Sequence, residues 1–426
     1  MPRPVTPGTP PRRRTGAALA TAALLAAIGL TACGSDDSTD TASSASSASG
    51  SASPAASACP ADTAGIPQGR GSGMPSGGAG TGAQSLGQAK TIKKTDNSTS
   101  TVIDPEGAAI TCDTSALTTT DDITYSSPTT KGTTTDLKLD IQVPRTSGKK
   151  PLVVYVTGGG WQLADRTGNL AQRTYIADQG YAVASIQYRT VADGATYKDA
   201  LADVKSAIRY LRAHAGTYGI DTDHVFVWGQ SAGGYLAAMT GVTNGDKTYD
   251  TGGDLGQSSE VQGVVDEFGP ADLSQLAADY DRAAKDSNYA AGNASAQWVY
   301  GPGTDRSVKQ YTAQVAAADP ATHISSATPP FLLMHGTADP LVSPSQTLNL
   351  FTALKGKGVD AERVVLTGAG HGDVSFGAAI SSAAPGASAS GASTSGGSSA
   401  AADAKPWSTK ETMGYIKDFL ASHSRS

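Results

Sequence analysis

One serine of the sequence lies in a pattern typical of a catalytic nucleophile. Ser231 is the centre of Gly229-Gln230-Ser231-Ala232-Gly233, which follows the apolar run VFVW and precedes the helix-like run YLAAM. Because the chain contains 50 glycines, a bare G-x-S-x-G pattern has little specificity, and its value lies in this strand-turn-helix context. Small neighbours are needed because larger side chains would collide across such a bend. The context predicts that Ser231 is a nucleophile.

An aspartate and a histidine further along the chain could complete a proton relay. Asp339 lies in HGTADPLVS and His371 lies in GAGHGD, and each follows a predicted strand. Relays of this kind are known with the chain order Ser, Asp, His. In such a relay His371 takes the proton of Ser231, and Asp339 fixes the tautomer of the imidazole. Asp373 is a rival for the acid, and His335 is interpreted as a structural residue.

These side chains need a sheet to hold them, and the sequence predicts one. Short apolar or β-branched runs occur at residues 152–156, 181–188, 224–228, 261–268, 331–335 and 363–366, as expected for buried parallel strands. An opening antiparallel hairpin is predicted at 122–126 and 137–143, and an amphipathic crossover helix at 197–215. We therefore expect a mostly parallel, doubly wound α/β sheet of about eight strands, with the chemistry at the carboxyl ends of the strands.

Five segments in a fixed order resemble a known enzyme family. They are VVYVTGGGWQ, GQSAGGYLAAM, DEFGPADL, PPFLLMHGTADPLVS and GAGHGD. From about Leu137 to Phe376 the chain resembles the α/β-hydrolase superfamily, and within it the bacterial hormone-sensitive-lipase-like and feruloyl-esterase-like (BD-FAE-type) carboxylesterases. The resemblance implies an α/β-hydrolase fold and cleavage of short acyl or aryl esters, some of them carbohydrate-linked. It identifies Ser231, Asp339 and His371 as a triad that acts through an acyl-enzyme intermediate.

The resemblance also implies an oxyanion hole and substrate contacts. Its backbone donors would be those of Gly158 or Gly159 and of Ala232. The family usually has His at the position of Thr157, which leaves the support of that loop in question.

Trp161 and Gln230 are the expected substrate contacts, with a core role as the alternative for Trp161. Asp266 and Glu267 either line the pocket or cap a turn. No cofactor and no metal site is expected, because no cluster has metal-ligand spacing.

The N-terminus has the pattern of an export signal. Residues 1–32 contain Arg12, Arg13 and Arg14, an apolar stretch from Gly16 to Leu30, and small residues at the end. The following LTAC resembles a bacterial lipoprotein signal in which the thiol of Cys33 is acylated. We therefore expect a lipid-anchored or secreted extracytoplasmic protein, and an ordinary cleaved signal peptide is the alternative.

Composition divides the remaining chain. Residues 33–118 are interpreted as a low-complexity, disordered tether, and residues 119–426 as the catalytic domain. Within the domain, residues 279–319 are predicted to form a lid. The Ala/Ser/Gly-rich residues 377–405 are predicted to form a disordered insertion.

Two further cysteines bear on the compartment. If Cys33 is lipidated, Cys59 and Cys112 remain as an even pair, and an oxidising compartment favours a disulfide between them. The low complexity around Cys59 argues against the bond, because it provides no geometry to hold the two thiols together.

The charge balance argues against one class of partner. The net charge is −6, and it becomes −10 without residues 1–32, which carry four Arg and no other charged residue. The chain has no basic stripe, so nucleic acid is not an expected partner. The expected partners are a small ester substrate and, through Cys33, a membrane. Two alternatives to an esterase are a serine peptidase or amidase on the same fold, and a surface binding protein that has lost catalysis.

Overall fold

The computed structural model describes residues 57–60, 87–373 and 406–424. The predicted signal peptide, Cys33, most of the predicted tether and the insertion at 377–405 lie outside these ranges. Within them, each helix is either too short or too polar to cross a lipid bilayer.

A nine-stranded sheet forms the centre of the fold. Its strands are β1 (Thr101–Ile103), β2 (Leu117–Ser126), β3 (Leu137–Pro144), β4 (Lys150–Val156), β5 (Ala182–Ile186), β6 (Ile220–Gln230), β7 (Gly263–Glu267), β8 (Phe331–Gly336) and β9 (Ala361–Leu366). Their spatial order is β1-β9-β8-β7-β6-β4-β5-β3-β2. Neighbours from β1 to β5 in this order are parallel, and β3 and β2 continue the sheet as an antiparallel hairpin. The predicted fold class is confirmed.

Helices connect the parallel strands. In the described part of the chain they are α1 (Leu170–Asp178), α2 (Tyr197–Ala213), α3 (Ala215–Tyr218), α4 (Ala232–Val242), α5 (Arg282–Asn288), α6 (Ala294–Tyr300), α7 (Ala313–Ala317), α8 (Ser345–Gly356) and α9 (Lys410–His423). The helix α2 begins after Thr196, whose backbone N–H and hydroxyl both donate to Asp199 Oδ2 at 2.9 Å. This capping box accounts for the start of the predicted crossover helix.

Both faces of the sheet are covered. Along β4, Leu152, Val154 and Val156 belong to one buried cluster, which includes residues of α2, α4 and α8, whereas Val153 and Tyr155 belong to a second cluster, which includes residues of α1 and α9. Alternate side chains of a strand point to opposite faces, so a strand between two helical layers must be apolar at nearly every position. This explains the continuous apolar run that predicted the strand.

The predicted boundary between tether and domain at residue 118 is wrong. Residues 101–103 form the edge strand β1, which pairs in parallel with β9. Thr111–Cys112 pairs with Ser57–Ala58, and Lys93 donates its backbone N–H to the carbonyl of Asp279 at 2.7 Å. These short, polar segments are stable only through pairing with distant parts of the chain, which composition cannot reveal.

The predicted lid, residues 279–319, contains α5, α6 and α7 and lies between β7 and β8 in the chain. Both of its ends are fixed to the sheet layers. Tyr280 donates its hydroxyl to the carbonyl of Asp339 at 3.1 Å, and Tyr235 of α4 donates its hydroxyl to the carbonyl of Ala318 at 2.8 Å. The segment is thereby held beside the elements that follow β6 and β8. Its action as a lid stays a prediction.

Cys59 and Cys112 form a disulfide that joins positions 53 residues apart. Closing a loop of this length restricts the unfolded chain, so Cys59→Ser should lower the free energy of unfolding by about 2–4 kcal/mol. Cys112 is buried and Cys59 is only half-buried, so C112S should cost more through lost packing. Urea denaturation of the oxidised proteins measures both effects. A reductant should lower the stability of the wild type and leave C59S unchanged; equal stability of oxidised wild type and C59S would contradict the prediction.

Candidate active site

The candidate nucleophile lies in a strained turn between β6 and α4. Ser231 has φ 54° and ψ −121°, a backbone conformation that residues other than glycine rarely adopt. Its N–H donates to the carbonyl of Glu267, the last residue of β7, at 2.9 Å. The neighbouring strand β7 therefore holds the bend at Ser231 from one side. Helix α4 begins directly after Ser231.

Glycine is required on both sides of Ser231. A Cβ on Gly229 would lie 2.1 Å from the carbonyl oxygen of Gly233, and a Cβ on Gly233 would lie 2.0 Å from that of Val156. Both distances are far below contact, and the atoms concerned are backbone atoms that cannot move aside. The close approach also shows that the end of β4 lies against the start of α4.

The structure brings the three predicted triad residues together. His371 Nε2 lies 2.8 Å from Ser231 Oγ, and His371 Nδ1 lies 2.7 Å from Asp339 Oδ2. The imidazole therefore connects hydroxyl and carboxylate in one hydrogen-bonded line. This arrangement allows a histidine to accept the serine proton while the carboxylate stabilises the charged ring.

The carboxylate of Asp339 is completely buried and well supplied with donors. Its Oδ1 accepts the backbone N–H groups of Leu341 and Val342 at 2.8 and 3.0 Å. Burial by itself raises the pKa of Asp339, but the neighbouring His371 and His335 outweigh burial and hold that pKa below its ordinary value. The acid is therefore ionised throughout the neutral range.

The rival acid Asp373 has a different role. Its carboxylate accepts the backbone N–H of Trp407 and the hydroxyl of Ser408, and thereby joins the described chain on the two sides of the insertion. The hydrogen-bonded carboxylate partner of His371 is Asp339.

Two aromatic residues that sequence reasoning missed pack around the histidine. The ring of Phe268 lies 4.6 Å from that of His371, centroid to centroid, and 4.7 Å from that of Trp407. Trp407 also donates its indole N–H to the carbonyl of Gly370 at 3.1 Å. Phe268 lies in the motif DEFGPADL, which could have indicated its position near the site. Trp407 lies in none of the five motifs.

The loop after β4 holds the predicted oxyanion donors. Gly159 has φ 141°, and a Cβ there would lie 2.1 Å from the carbonyl oxygen of Leu163, so the loop tolerates no side chain at this position. Ala232 is the first residue of α4, where backbone N–H groups have no partner within the helix. Gly158 lies between Thr157 and Gly159, and its carbonyl accepts a long hydrogen bond from the Thr157 hydroxyl at 3.4 Å.

The loop is supported by a residue that the sequence did not indicate. Tyr188, which follows β5, donates its hydroxyl to the carbonyl of Thr157 at 2.9 Å and is almost completely buried. Burial also raises the pKa of Tyr188 above its ordinary value, so the hydroxyl keeps its proton. The structure thus answers the question that Thr157 raised, because a tyrosine fixes the backbone of the loop.

The predicted substrate contacts of Trp161 and Gln230 need correction. Trp161 is 1% exposed and stacks on Trp298 at 6.0 Å, so it is a core residue. The amide of Gln230 donates to Gln172 at 2.7 Å and to Glu267 at 2.8 Å in the interior. Both side chains are therefore part of the packed interior.

Asp266 and Glu267 are buried below the turn. Asp266 Oδ1 accepts the N–H of Gly269 at 2.8 Å, and Glu267 Oε2 accepts the indole N–H of Trp228 at 2.6 Å. Burial raises the pKa of each carboxyl to about 7. Of the two expected roles, turn capping describes Asp266, and Glu267 supports β6.

Cavity size does not identify the site. A cleft of about 670 Å³ is lined by residues of β2, α2 and the segment 248–253, and no triad residue lines it. The candidate active site is therefore identified by the hydrogen-bonded line of Ser231, His371 and Asp339 and by the strained backbone of the serine.

Comparisons with known proteins identify a family and several relatives. Residues 139–354, about half of the chain, match the family model BD-FAE. The chain is 27% identical over 240 residues to a probable isoprenylcysteine alpha-carbonyl methylesterase (ICMEL1) of Arabidopsis thaliana, covering 56% of this chain and 48% of that protein. It is 28% identical over 215 residues to the probable carboxylic ester hydrolase LipM of Mycobacterium tuberculosis, covering 49% and 46%. The chain thus spans about half the length of these relatives.

Solved structures share the fold. A truncated form of a carbohydrate esterase from gut microbiota aligns with a TM-score of 0.56 and 24% identity, over 72% of this chain and 96% of that chain. A bifunctional GH43-CE protein of Bacteroides eggerthii aligns with a TM-score of 0.55 and 26% identity, over 72% and 38%. The sheet described above is therefore that of an α/β-hydrolase.

Tyr188→Phe removes one hydroxyl from the support of the oxyanion loop. Loss of a buried hydrogen bond of this kind should lower kcat/KM for an activated ester by about tenfold. The matched control is Tyr125→Phe, because Tyr125 is also buried and donates to a backbone carbonyl, that of Gln187, at 2.6 Å. Steady-state kinetics on both variants should show the loss in Y188F alone; an equal loss in both would indicate general destabilisation.

The buried carboxyl of Asp266 should make stability depend on pH. Its pKa of about 7 exceeds the ordinary value of 3.8, so between those pH values the folded state holds a proton that the unfolded state releases. Stability from this group is therefore lost as pH rises from 4 to 7. Asp266→Asn cannot titrate, so the unfolding free energy of D266N minus that of wild type should increase by up to about 1.4 kcal/mol per pH unit. Urea denaturation at pH 5, 6 and 7 measures it, and a difference independent of pH would refute the assignment.

Proposed function

Because the chain belongs to the BD-FAE family, we propose that it is a carboxylic ester hydrolase with Ser231 as its nucleophile. The observation that carries the proposal is the line of hydrogen bonds from Asp339 through His371 to Ser231, at 2.7 and 2.8 Å. Relatives named as an esterase and as a probable carboxylic ester hydrolase support the choice of an ester over an amide bond.

The reaction proceeds in two half-reactions. His371 Nε2 takes the proton of Ser231 Oγ as this oxygen attacks the ester carbonyl carbon, and Asp339 stabilises the protonated ring. The charge that develops on the carbonyl oxygen is stabilised by the backbone N–H groups of Ala232 and of Gly158 or Gly159. His371 then donates its proton to the leaving alcohol oxygen as the C–O bond breaks. In the second half-reaction His371 deprotonates a water, which attacks the acyl carbon. The bond from that carbon to Ser231 Oγ then breaks, the acid is released, and His371 returns the proton to Ser231 Oγ.

The proposed substrates carry a short acyl or aryl group, and some are carbohydrate-linked esters. The support lies in the match to the BD-FAE family. The predicted lid, residues 279–319, has its two ends held beside Asp339 and beside α4, and its effect on acyl length is tested by comparing short with long esters. The substrate panel therefore comprises p-nitrophenyl acetate, butyrate and laurate, methyl ferulate and acetylated xylo-oligosaccharides.

The proposed location is extracytoplasmic, with a lipid on Cys33 or as a secreted protein. The sequence LTAC after an apolar stretch supports the anchor. The disulfide between Cys59 and Cys112 supports an oxidising compartment, because such bonds rarely persist in a reducing cytosol.

Ser231→Ala should lower kcat for p-nitrophenyl butyrate by at least about 10⁴-fold, since the nucleophile is lost while binding remains. The matched control is Ser206→Ala, because Ser206 is also buried but lies on α2, outside the triad. Ester hydrolysis assays measure the rates, and a fluorophosphonate probe should label wild type and S206A but not S231A. Equal rates in wild type and S231A would refute the proposal.

The same assays separate the two alternative functions. Turnover of peptide p-nitroanilides without ester turnover would indicate a peptidase or amidase. A folded wild-type protein that neither hydrolyses the panel nor reacts with the probe would indicate a binding protein without an activated serine.

A further inference from the structure

A second histidine contacts the carboxylate of the triad. His335 Nε2 lies 3.2 Å from Asp339 Oδ2, the same oxygen that His371 Nδ1 approaches at 2.7 Å. We propose that His335 is a positioning residue, which fixes Asp339, and through it His371, in the geometry that proton transfer requires. The inference rests on the proposed triad chemistry, and it assigns a role to a residue that the sequence marked only as structural.

Two acceptors define the tautomer of His335. Its Nε2 faces Oδ2 of Asp339 at 3.2 Å and the carbonyl oxygen of Val342 at 3.0 Å. Neither an ionised carboxylate nor a carbonyl can donate a hydrogen bond. The proton of the neutral ring must therefore be on Nε2, from which it is shared between the two acceptors.

The other ring nitrogen is fixed from α8. His335 Nδ1 lies 3.0 Å from Thr347 Oγ1, and that oxygen accepts a hydrogen bond from Arg363 Nε at 3.0 Å. A guanidinium can only donate, so the hydroxyl proton of Thr347 is available to His335 Nδ1. The relay Arg363, Thr347, His335 and Asp339 thus has a single consistent direction of donation.

Arg363 provides a rigid start for this relay. It is almost completely buried, and its other nitrogens donate to Asn97 Oδ1 at 2.9 Å, to Ser100 Oγ at 3.0 Å and to the carbonyl of Pro344 at 2.9 Å. Burial lowers its pKa to about 10, partly offset by the charge of Asp279, so the group remains a cation at neutral pH. Because this fixed cation donates to Thr347 Oγ1, the proton of that hydroxyl is directed at His335 Nδ1.

The relay limits how Asp339 can respond to His371. When His335 donates a hydrogen bond to Oδ2, it holds that oxygen in place. The carboxylate then cannot rotate away from His371. In the other tautomer of His335, a nitrogen lone pair would face Oδ2 at 3.2 Å, and in a flipped ring Cε1 would replace Nε2 as the atom nearest the carboxylate. Tyr280, whose hydroxyl donates to the carbonyl of Asp339 at 3.1 Å, also faces this group, and burial raises its pKa well above the ordinary value.

Thr347→Val tests the relay at a distance from the substrate. Loss of the hydroxyl frees His335, so kcat for p-nitrophenyl butyrate should fall about 10- to 100-fold with KM changed less than twofold. A freed His335 donates less to Asp339 Oδ2. The carboxylate therefore stabilises protonated His371 more strongly. The midpoint of the acidic limb of the kcat/KM profile should therefore move to higher pH, by about half a unit or more.

Matched variants separate positioning from packing. Thr347→Ser restores a hydroxyl and should recover kcat to within about threefold of wild type, together with the original pH midpoint. Thr352→Val, an exposed threonine on the same helix, should leave both quantities unchanged. His335→Phe should resemble T347V, whereas His335→Gln, which keeps a donor at the position of Nε2, should lie between H335F and wild type. If T347V and H335F are folded and retain both kcat and the pH midpoint, the proposal is overturned.

A measurement on the wild type decides the matter if variants fail to fold. With ¹⁵N-labelled histidine, the chemical shifts of His335 at neutral pH should report a protonated Nε2 and an unprotonated Nδ1. The opposite tautomer would overturn the proposal. Failure of the proposed function is distinguishable, because a wild type without ester hydrolysis and without probe labelling loses the triad chemistry whatever the tautomer of His335.

Discussion

The active site depends on a serine held in a backbone conformation that it does not prefer. A residue other than glycine at φ 54°, ψ −121° costs on the order of 1–3 kcal/mol, which surrounding structure must offset. Here β7 accepts the N–H of Ser231, and Gly229 and Gly233 allow the chain to fold tightly against the end of β4. The same turn starts α4, so one strained residue places both the hydroxyl and the first helical N–H groups.

A buried charge is the second constraint, and it explains the donors around Asp339. A carboxylate without access to water would be protonated unless hydrogen bonds replace its hydration. Two backbone N–H groups satisfy Oδ1, and His371 and His335 share Oδ2. Phe268 packs on the ring of His371, which is almost completely buried. Low polarity strengthens each of these electrostatic contacts, so the burial that makes the ion costly also makes the line of hydrogen bonds strong.

Local apolar patterns predicted the sheet, and the motifs that resemble the family predicted which three side chains would lie together at its edge. Apolar runs locate strand ends, and Ser231, Asp339 and His371 each follow one. The edge strand β1 escaped prediction because it has three residues and pairs with β9, more than 250 positions away. Tyr188 and the inward orientation of Gln230 escaped for the same physical reason, since they depend on which distant atoms approach them. Local propensity has no information about such contacts.

Gln230 belongs to a buried polar network that joins the nucleophile to the base. Its amide bonds Glu267 and Gln172, and Gln172 of α1 donates to Ser408 Oγ at 3.2 Å. Ser408 in turn bonds Asp373, two residues after His371. A network of this kind is costly unless its members are paired, so it admits few alternative packings. The residues next to Ser231 and next to His371 are thereby set in register through the C-terminal segment, which explains why residues 406–424, although they follow the insertion, are part of the active-site architecture.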